Sequence, residues 1–163
     1  MRRLAVFFSL ILTLGLNAQN VRPGIDLFLE REIADYAGKR LGIITNATGL
    51  TSDLRSTVDV LHAVRTLKVT ALFAPEHGIR GDITAGGFVS DYKDPATGIP
   101  VYSLYGKNRR PSRAMLEDVD VLVYDIQDIG NRTYTYISMM GLALESAAEN
   151  AIPLQEAKKA DYS

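Results

Sequence analysis

Three short runs of mostly apolar residues recur along the chain and predict buried β-strands. They cover residues 41–45, 69–73 and 119–125 and are rich in branched aliphatic side chains, as strands covered on both faces are. The stretches between them carry apolar residues at helical spacing. Because strand and helix alternate, the pattern predicts an α/β fold with a mostly parallel sheet and right-handed crossover connections.

The helices and one hairpin are predicted from spacing and turn residues. Residues 24–37 and 111–117 read as helical, and Ser56 with Asp59 has the spacing of a capping box. The helix that follows would bury Val58, Leu61 and Val64. The last helix, ending near Asn150, would bury Ile137, Met140, Leu144 and Ala148. Residues 94–98 have the composition of a tight turn, which predicts an inserted β-hairpin between residues 88–92 and 99–104.

Polar clusters follow each of the three strand runs. The loop after residue 73 carries Glu76, His77 and Arg80, and the others begin at Asn46 and Asp125. Because the carboxyl ends of parallel strands meet at one edge of a sheet, we expect Asn46, Glu76 and Asp125 to share a rim. The sequence therefore predicts a functional site at this edge.

The first 19 residues have the order of a secretory signal peptide. Arg2 and Arg3 precede an apolar segment at residues 4–16, and cleavage near Ala18 is expected. An uncleaved anchor is the alternative. The apolar segment is too short to cross a bilayer as a helix, so we expect no stable membrane span after signal removal. This predicts a periplasmic or secreted protein.

The amino-acid composition excludes some kinds of catalytic site and disfavours one class of partner. The chain has no cysteine, which excludes disulfides and a catalytic thiol. Acidic residues number 19 and basic residues 18, so no basic excess favours nucleic acid as a partner. Motifs for nucleotide binding, zinc proteases and serine hydrolases are absent. We expect no cofactor and no metal, although a metal-dependent hydrolase built on Glu76, His77 and Asp125 stays open as a minor alternative.

An aromatic and basic segment follows the predicted hairpin. It contains Tyr102, Tyr105, Lys107, Arg109 and Arg110. Such a segment forms a solvated rim more often than a ligand-binding strip, and both interpretations stay open.

Four blocks of sequence resemble a known family. Residues 42–49 resemble GLITNxTG, residues 73–81 resemble FxPEHGxRG, residues 94–106 resemble DPxTGLPVYSLYG, and residues 120–137 resemble DVLVFDIQDVGxRxYTYI. In this order they are similar to the NamZ (YbbC-like) family of exo-β-N-acetylmuramidases. The resemblance runs from about Gly24 to Pro153.

The resemblance implies a Rossmann-like catalytic domain followed by a second domain, with the site between them. It implies a hydrolase that releases N-acetylmuramic acid from the non-reducing end of peptidoglycan fragments during cell wall recycling. By this resemblance Glu76 would be the essential carboxylate. Our mechanistic hypothesis makes Glu76 the general acid and Asp125 or Asp128 the second carboxyl group, with a second carboxyl group from the missing domain as the alternative. The substrate-binding residues implied by the motifs are Asn46, His77, Arg80, Gln127, Arg132, Tyr134 and Tyr136.

The chain departs from the family pattern in three places. Gly87 stands where many relatives have an acid, and Thr133 replaces an aromatic residue. After Pro153, relatives continue with an apolar strand, whereas residues 154–163 form a polar tail here. We therefore expect residues 20–153 to be an incomplete, truncated Rossmann-like domain, an aberrant tail that forms no buried strand, and no second domain. A non-catalytic muramyl-glycan binding module or an inactive relic is the alternative function.

Overall fold

The structure, a computed structural model, describes residues 22–84, 90–131 and 133–157. Within these ranges the helices are α1 (Gly24–Arg31), α2 (Thr57–Ala63) and α3 (Tyr136–Glu149), and single 3-10 turns lie at Ile33–Tyr36 and Ala114–Leu116. The strands are β1 (Arg40–Thr45), β2 (Lys68–Ala74), β3 (Tyr92–Lys93), β4 (Pro100–Ser103), β5 (Val121–Asp125) and β6 (Leu154–Glu156). The three strands predicted from apolar runs are confirmed as β1, β2 and β5.

The strands form one sheet in the order β3-β4-β2-β1-β5-β6. β1 is central and pairs in parallel with β2 and β5. β2 also pairs in parallel with β4, and β5 with β6. The predicted α/β fold with a mostly parallel sheet is confirmed.

The inserted hairpin is also present, in a shorter form than predicted. Tyr92 pairs with Val101 and Lys93 with Pro100, in antiparallel fashion. Gly98, at a φ of 73°, closes the turn by donating its N–H to the Asp94 carbonyl at 2.7 Å. This left-handed conformation suits glycine, which has no Cβ to clash. Residues 88 and 89 of the predicted first strand lie outside the described residues.

Alternate residues of the central strands face two different cores. Ile43, Leu72 and Val123 pack with α1 and α2 on one face, and Ile44, Phe73 and Leu122 pack with α3 on the other. Because successive side chains of a strand point to opposite faces, a strand buried on both sides must be apolar at every position. The continuous apolar runs in the sequence reflect this arrangement.

The packing face of α3 differs from the predicted one. The spacing predicts burial of Ile137, Met140, Leu144 and Ala148. The buried residues are Met139, Ala143, Ser146 and Ala147. Ile137 and Leu144 are instead 59% and 45% exposed. Apolar residues occur on several sides of this helix, so spacing does not select a face. The small side chains at 143, 146 and 147 turn toward the sheet because they permit close approach.

The first three residues of the predicted polar tail form an edge strand. Leu154–Glu156 forms β6 and pairs in parallel with β5, with Leu122 opposite Leu154. The Ala157 N–H extends the pairing by donating to the Tyr124 carbonyl at 3.1 Å. β6 lies at the sheet edge and is only partly buried, so its pairing does not require an apolar side chain at every position.

The predicted signal peptide lies outside the described residues, as do residues 158–163 of the tail. Across the ranges that the structure covers, no helix has the length and apolar character needed to span a membrane.

Candidate functional site

The loops after β1, β2 and β5 leave the same edge of the sheet, as predicted. Ile44 pairs with Phe73 near the end of β2, and Thr45 pairs with Asp125 at the end of β5. At this edge the structure contains two hollows rather than one. Both are bounded by the N-terminal half of α3, and each is lined by some of the predicted site residues.

The first hollow, here called the Asp125 hollow, has a volume of about 540 Å³. It collects four of the predicted site residues, Asp125, Gln127, Asp128 and Tyr136. The remainder of its lining is Pro23, Gly24, Thr48, Gly49, Leu50, Tyr124, Ile126, Gly130, Ile137, Met140, Glu156 and Ala157.

The Asp125 side chain lies in a protected position at the end of β5. Burial raises its pKa, the Thr57 hydroxyl opposes this by donating to Oδ2, and the nearby charge of Asp26 raises it further. Burial disfavours the charged form of a carboxyl group. Asp125 therefore keeps its proton to a higher pH than an exposed aspartate does, which is a property of general acids.

Asp128 uses both carboxylate oxygens to fix the start of α3. Oδ1 accepts the Gly130 N–H at 2.6 Å, and Oδ2 accepts the Ile137 N–H at 3.2 Å. A carboxylate at this position satisfies a free helix N–H and interacts favourably with the helix dipole. Gln127 is exposed and donates its amide to the Asp128 carbonyl at 2.9 Å.

The second hollow, here called the Glu76 hollow, has a volume of about 520 Å³. It lies between the end of β2, the segment after β4, and α3. Its lining is Glu76, Leu104, Tyr105, Gly106, Arg109, Thr135, Ser138, Met139 and Leu142. Of the predicted site residues in the described ranges, only Glu76 lines it.

Glu76 is partly buried and shares a hydrogen bond with the Tyr105 hydroxyl. This bond raises the pKa of Tyr105, with the charge of Glu76 and burial acting in the same direction and the charge of Arg109 opposing them. A hydroxyl donor restricts the orientation of the carboxylate. The hollow therefore holds an oriented carboxylate, a phenol and a guanidinium group.

His77 and Arg80 follow Glu76 but line neither hollow. The exposed His77 ring places Nδ1 3.2 Å from the Ile83 carbonyl, and its backbone has a φ of 75°. A positive φ in a non-glycine residue is costly and persists where surrounding contacts impose it.

Arg80 is held by two carboxylates. Its Nη2 lies 2.7 Å from Oδ1 of Asp59, and its Nε lies 2.7 Å from Oδ1 of Asp94. These contacts raise the pKa of Arg80, and they tie the loop after β2 to α2 and to the hairpin. The predicted capping box is wrong, because Ser56 makes no side-chain cap bond and Asp59 binds Arg80 instead.

The other predicted residues are dispersed. Asn46 is buried and its Oδ1 accepts the Thr48 N–H at 3.0 Å, which stabilises the turn after β1. Tyr134 is 45% exposed and contacts the Tyr136 ring edge-on at a centroid distance of 6.0 Å. Arg132 lies outside the described residues. In the described part of the chain, no group of three or more histidine, aspartate or glutamate side chains could hold a metal ion.

Sequence reasoning missed the companions of Glu76. Tyr105 and Arg109 belong to the aromatic and basic segment after the hairpin, for which a solvated rim is the more common outcome, and Thr135 and Ser138 belong to the start of α3. The available signal was the hairpin itself. Its second strand pairs with β2, so the segment that follows it lies beside Glu76.

Comparisons with known proteins agree with this fold. The family model described as exo-β-N-acetylmuramidase NamZ, N-terminal, matches residues 41–155. The peptidoglycan β-N-acetylmuramidase NamZ of Bacillus subtilis (strain 168) is 52% identical over 133 residues, which cover 82% of this chain and 32% of the relative.

Crystal structures of two DUF1343 family proteins from Bacteroides fragilis NCTC 9343 are similar as well. One has a TM-score of 0.77 and 49% identity, covering 85% of this chain and 34% of its own. The other has a TM-score of 0.68 and 31% identity, covering 84% and 34%. The chain spans about a third of the length of these relatives. The match over residues 41–155 and the 52% identity show that this chain belongs to the exo-β-N-acetylmuramidase NamZ family.

Proposed function

We propose that the Glu76 hollow binds the non-reducing end of peptidoglycan fragments and takes part in releasing N-acetylmuramic acid from it. The relative from Bacillus subtilis is named a peptidoglycan β-N-acetylmuramidase, which supports this chemistry. The observation that carries the proposal is the Glu76 carboxylate, oriented by Tyr105 in a hollow of about 520 Å³. Hollows of this size suit small ligands.

Cleavage of a glycosidic bond ordinarily uses two carboxyl groups. One protonates the leaving oxygen, and the other acts as nucleophile or activates water. In this proposal Glu76 is the general acid, and the Tyr105 hydroxyl keeps it oriented. Asp125 is the proposed second carboxyl group because it lies at the end of β5, on the same edge of the sheet as Glu76, and because Thr57 fixes one of its oxygens. Asp128 contributes by fixing the first turn of α3.

A variant pair tests the role of Glu76. Glu76→Gln keeps the shape of the side chain and removes its proton-transfer capacity, so release from a muramyl disaccharide should fall by about 100-fold or more. Binding measured by calorimetry should change little. Glu117→Gln, at an exposed position outside both hollows, is the matched control. Near-normal release by Glu76→Gln would remove Glu76 from the mechanism, and the same pair should be made in a full-length relative.

The division of the carboxylates favours one alternative. Glu76 and Asp125 line different hollows, so the chain by itself is also a candidate muramyl-glycan binding module. Calorimetry with the disaccharide, run beside the release assay, separates the two functions. Binding without release supports the module, and binding with release supports the enzyme.

We also propose that the protein acts in the periplasm or outside the cell, in cell wall recycling. The basic-then-apolar order of the first 19 residues supports export. The test is fractionation of cells that express the tagged chain, followed by N-terminal sequencing. A mature protein that starts close to Gln19 in the exported fraction supports the proposal, and an intact cytoplasmic chain would contradict it.

A further inference from the structure

The segment after β4 is attached to the end of β2 beside Glu76. The Leu104 N–H donates to the Ala74 carbonyl at 2.8 Å, and the Leu104 side chain is buried. This bond fixes the point from which residues 105–109 extend. Tyr105 and Arg109 thereby line the same hollow as Glu76.

Arg109 differs from two other described arginines near this edge of the sheet, Arg80 and Arg110. Arg80 is paired with Asp59 and Asp94, and Arg110 lies 2.9 Å from a carboxylate oxygen of Glu149. Arg109 makes no ion pair with any carboxylate in the residues that the structure covers. Its exposed guanidinium group is close enough to Tyr105 for its charge to act on the phenol. It can therefore offer its charge to a ligand in the hollow.

The charges in the hollow restrict which sugar it accepts. A ligand that carries a carboxylate meets repulsion from Glu76 unless a cation lies in the same hollow. N-acetylmuramic acid differs from N-acetylglucosamine by a lactyl ether that ends in a carboxylate. Arginine matches a carboxylate with two parallel N–H donors. Arg80 has its donors committed to two aspartates, so among the residues that the structure describes Arg109 is the available partner within the hollow.

We infer that Arg109 selects N-acetylmuramyl over N-acetylglucosaminyl ends by pairing with the lactyl carboxylate. This inference rests on the proposed function, because it assigns to Arg109 the recognition of the substrate that the Glu76 hollow is proposed to bind. Arg109 acts on specificity and takes no part in the bond cleavage.

The experiment measures binding of two ligands that differ only in the lactyl group, methyl β-N-acetylmuramide and methyl β-N-acetylglucosaminide. Calorimetry on the purified chain should give about tenfold tighter binding of the muramide, the scale of one charge-assisted contact at a partly exposed site. Arg109→Ala should bring the two dissociation constants within about twofold. Arg109→Lys should restore part of the preference, because it keeps the charge without the paired donors.

Lys107→Ala is the matched control, since it removes one exposed positive charge from the same segment outside the hollow. It should leave the preference intact. If Arg109→Ala binds the muramide and retains the parent preference, the inference is overturned and the proposed function stands. If the parent chain binds neither sugar, the proposed function fails and the inference falls with it.

Discussion

Replacing Asp94 by asparagine removes the buried carboxylate of the ion-pair cluster that holds the Glu76 loop. The Asp94 side chain is 1% exposed and that of Arg80 is 27% exposed. Arg80 donates to Asp94 through Nε at 2.7 Å and Nη2 at 2.9 Å, and the Thr97 hydroxyl donates at 2.7 Å. The substitution leaves Arg80 with Asp59 as its remaining partner.

The magnitude follows from the pKa of Asp94, which is lowered from 3.8 to about 2, chiefly by the hydrogen bond from Arg80. Because the folded-state pKa lies below the unfolded one, the carboxylate stabilises the fold above about pH 4, and this stabilisation is lost as the pH falls through about 2. At about 1.4 kcal/mol per pKa unit, the shift corresponds to about 2.5 kcal/mol at pH 7. About half of it remains at pH 3.

Urea denaturation at pH 7 and pH 3 directly measures the stabilisation that Asp94 contributes at each pH. Asp94→Asn should lower the free energy of unfolding by about 2–3 kcal/mol at pH 7, and its gap from the parent should narrow by about 1 kcal/mol at pH 3. Asp35→Asn, at an exposed position, should stay within about 0.5 kcal/mol of the parent at both values. An equal difference in unfolding free energy between the parent and Asp94→Asn at both pH values would refute the assigned pKa effect.

Three further predictions test other parts of the account. Met139→Ala should lower the free energy of unfolding by about 2–3 kcal/mol because Met139 is buried, whereas Leu144→Ala should lower it by less than about 0.5 kcal/mol. A larger loss for Leu144→Ala than for Met139→Ala in urea denaturation would contradict the assigned packing face of α3. Asp125→Asn should unfold at a higher free energy than the parent at pH 7, because a carboxyl group with a raised pKa stabilises the fold only while it is protonated. The difference in unfolding free energy should vanish below about pH 4, and a difference that does not change with pH would exclude the burial effect. Tyr105→Phe removes the hydroxyl that donates to Glu76 and should lower the kcat of release about tenfold, with the free energy of unfolding unchanged. An unaltered kcat would exclude a role for Tyr105 in orienting Glu76.

The sheet could be predicted from the sequence because its central strands are buried on both faces. Such strands must be apolar at nearly every position, so β1, β2 and β5 appear as continuous runs. β6 has no continuous apolar run in the sequence, because an edge strand pairs through its backbone and does not need buried side chains at every position. The face of α3 gave no signal either, since its apolar residues are not confined to one side.

The shape of the site could not be predicted because it depends on contacts between distant residues. Arg80 has the appearance of a free cation in sequence, yet its partners Asp59 and Asp94 lie 21 and 14 residues away. The neighbourhood of Tyr105 and Glu76 depends on β4 lying next to β2. The sequence predicts that polar residues gather at one edge, whereas the strand order decides which of them share a hollow.

The most direct test of the account is a crystal structure of the chain soaked with methyl β-N-acetylmuramide. The account predicts the sugar in the Glu76 hollow, with its glycosidic oxygen within hydrogen-bonding distance of Glu76 and the lactyl carboxylate beside Arg109. Sugar density confined to the Asp125 hollow, with the Glu76 hollow holding only water, would contradict it.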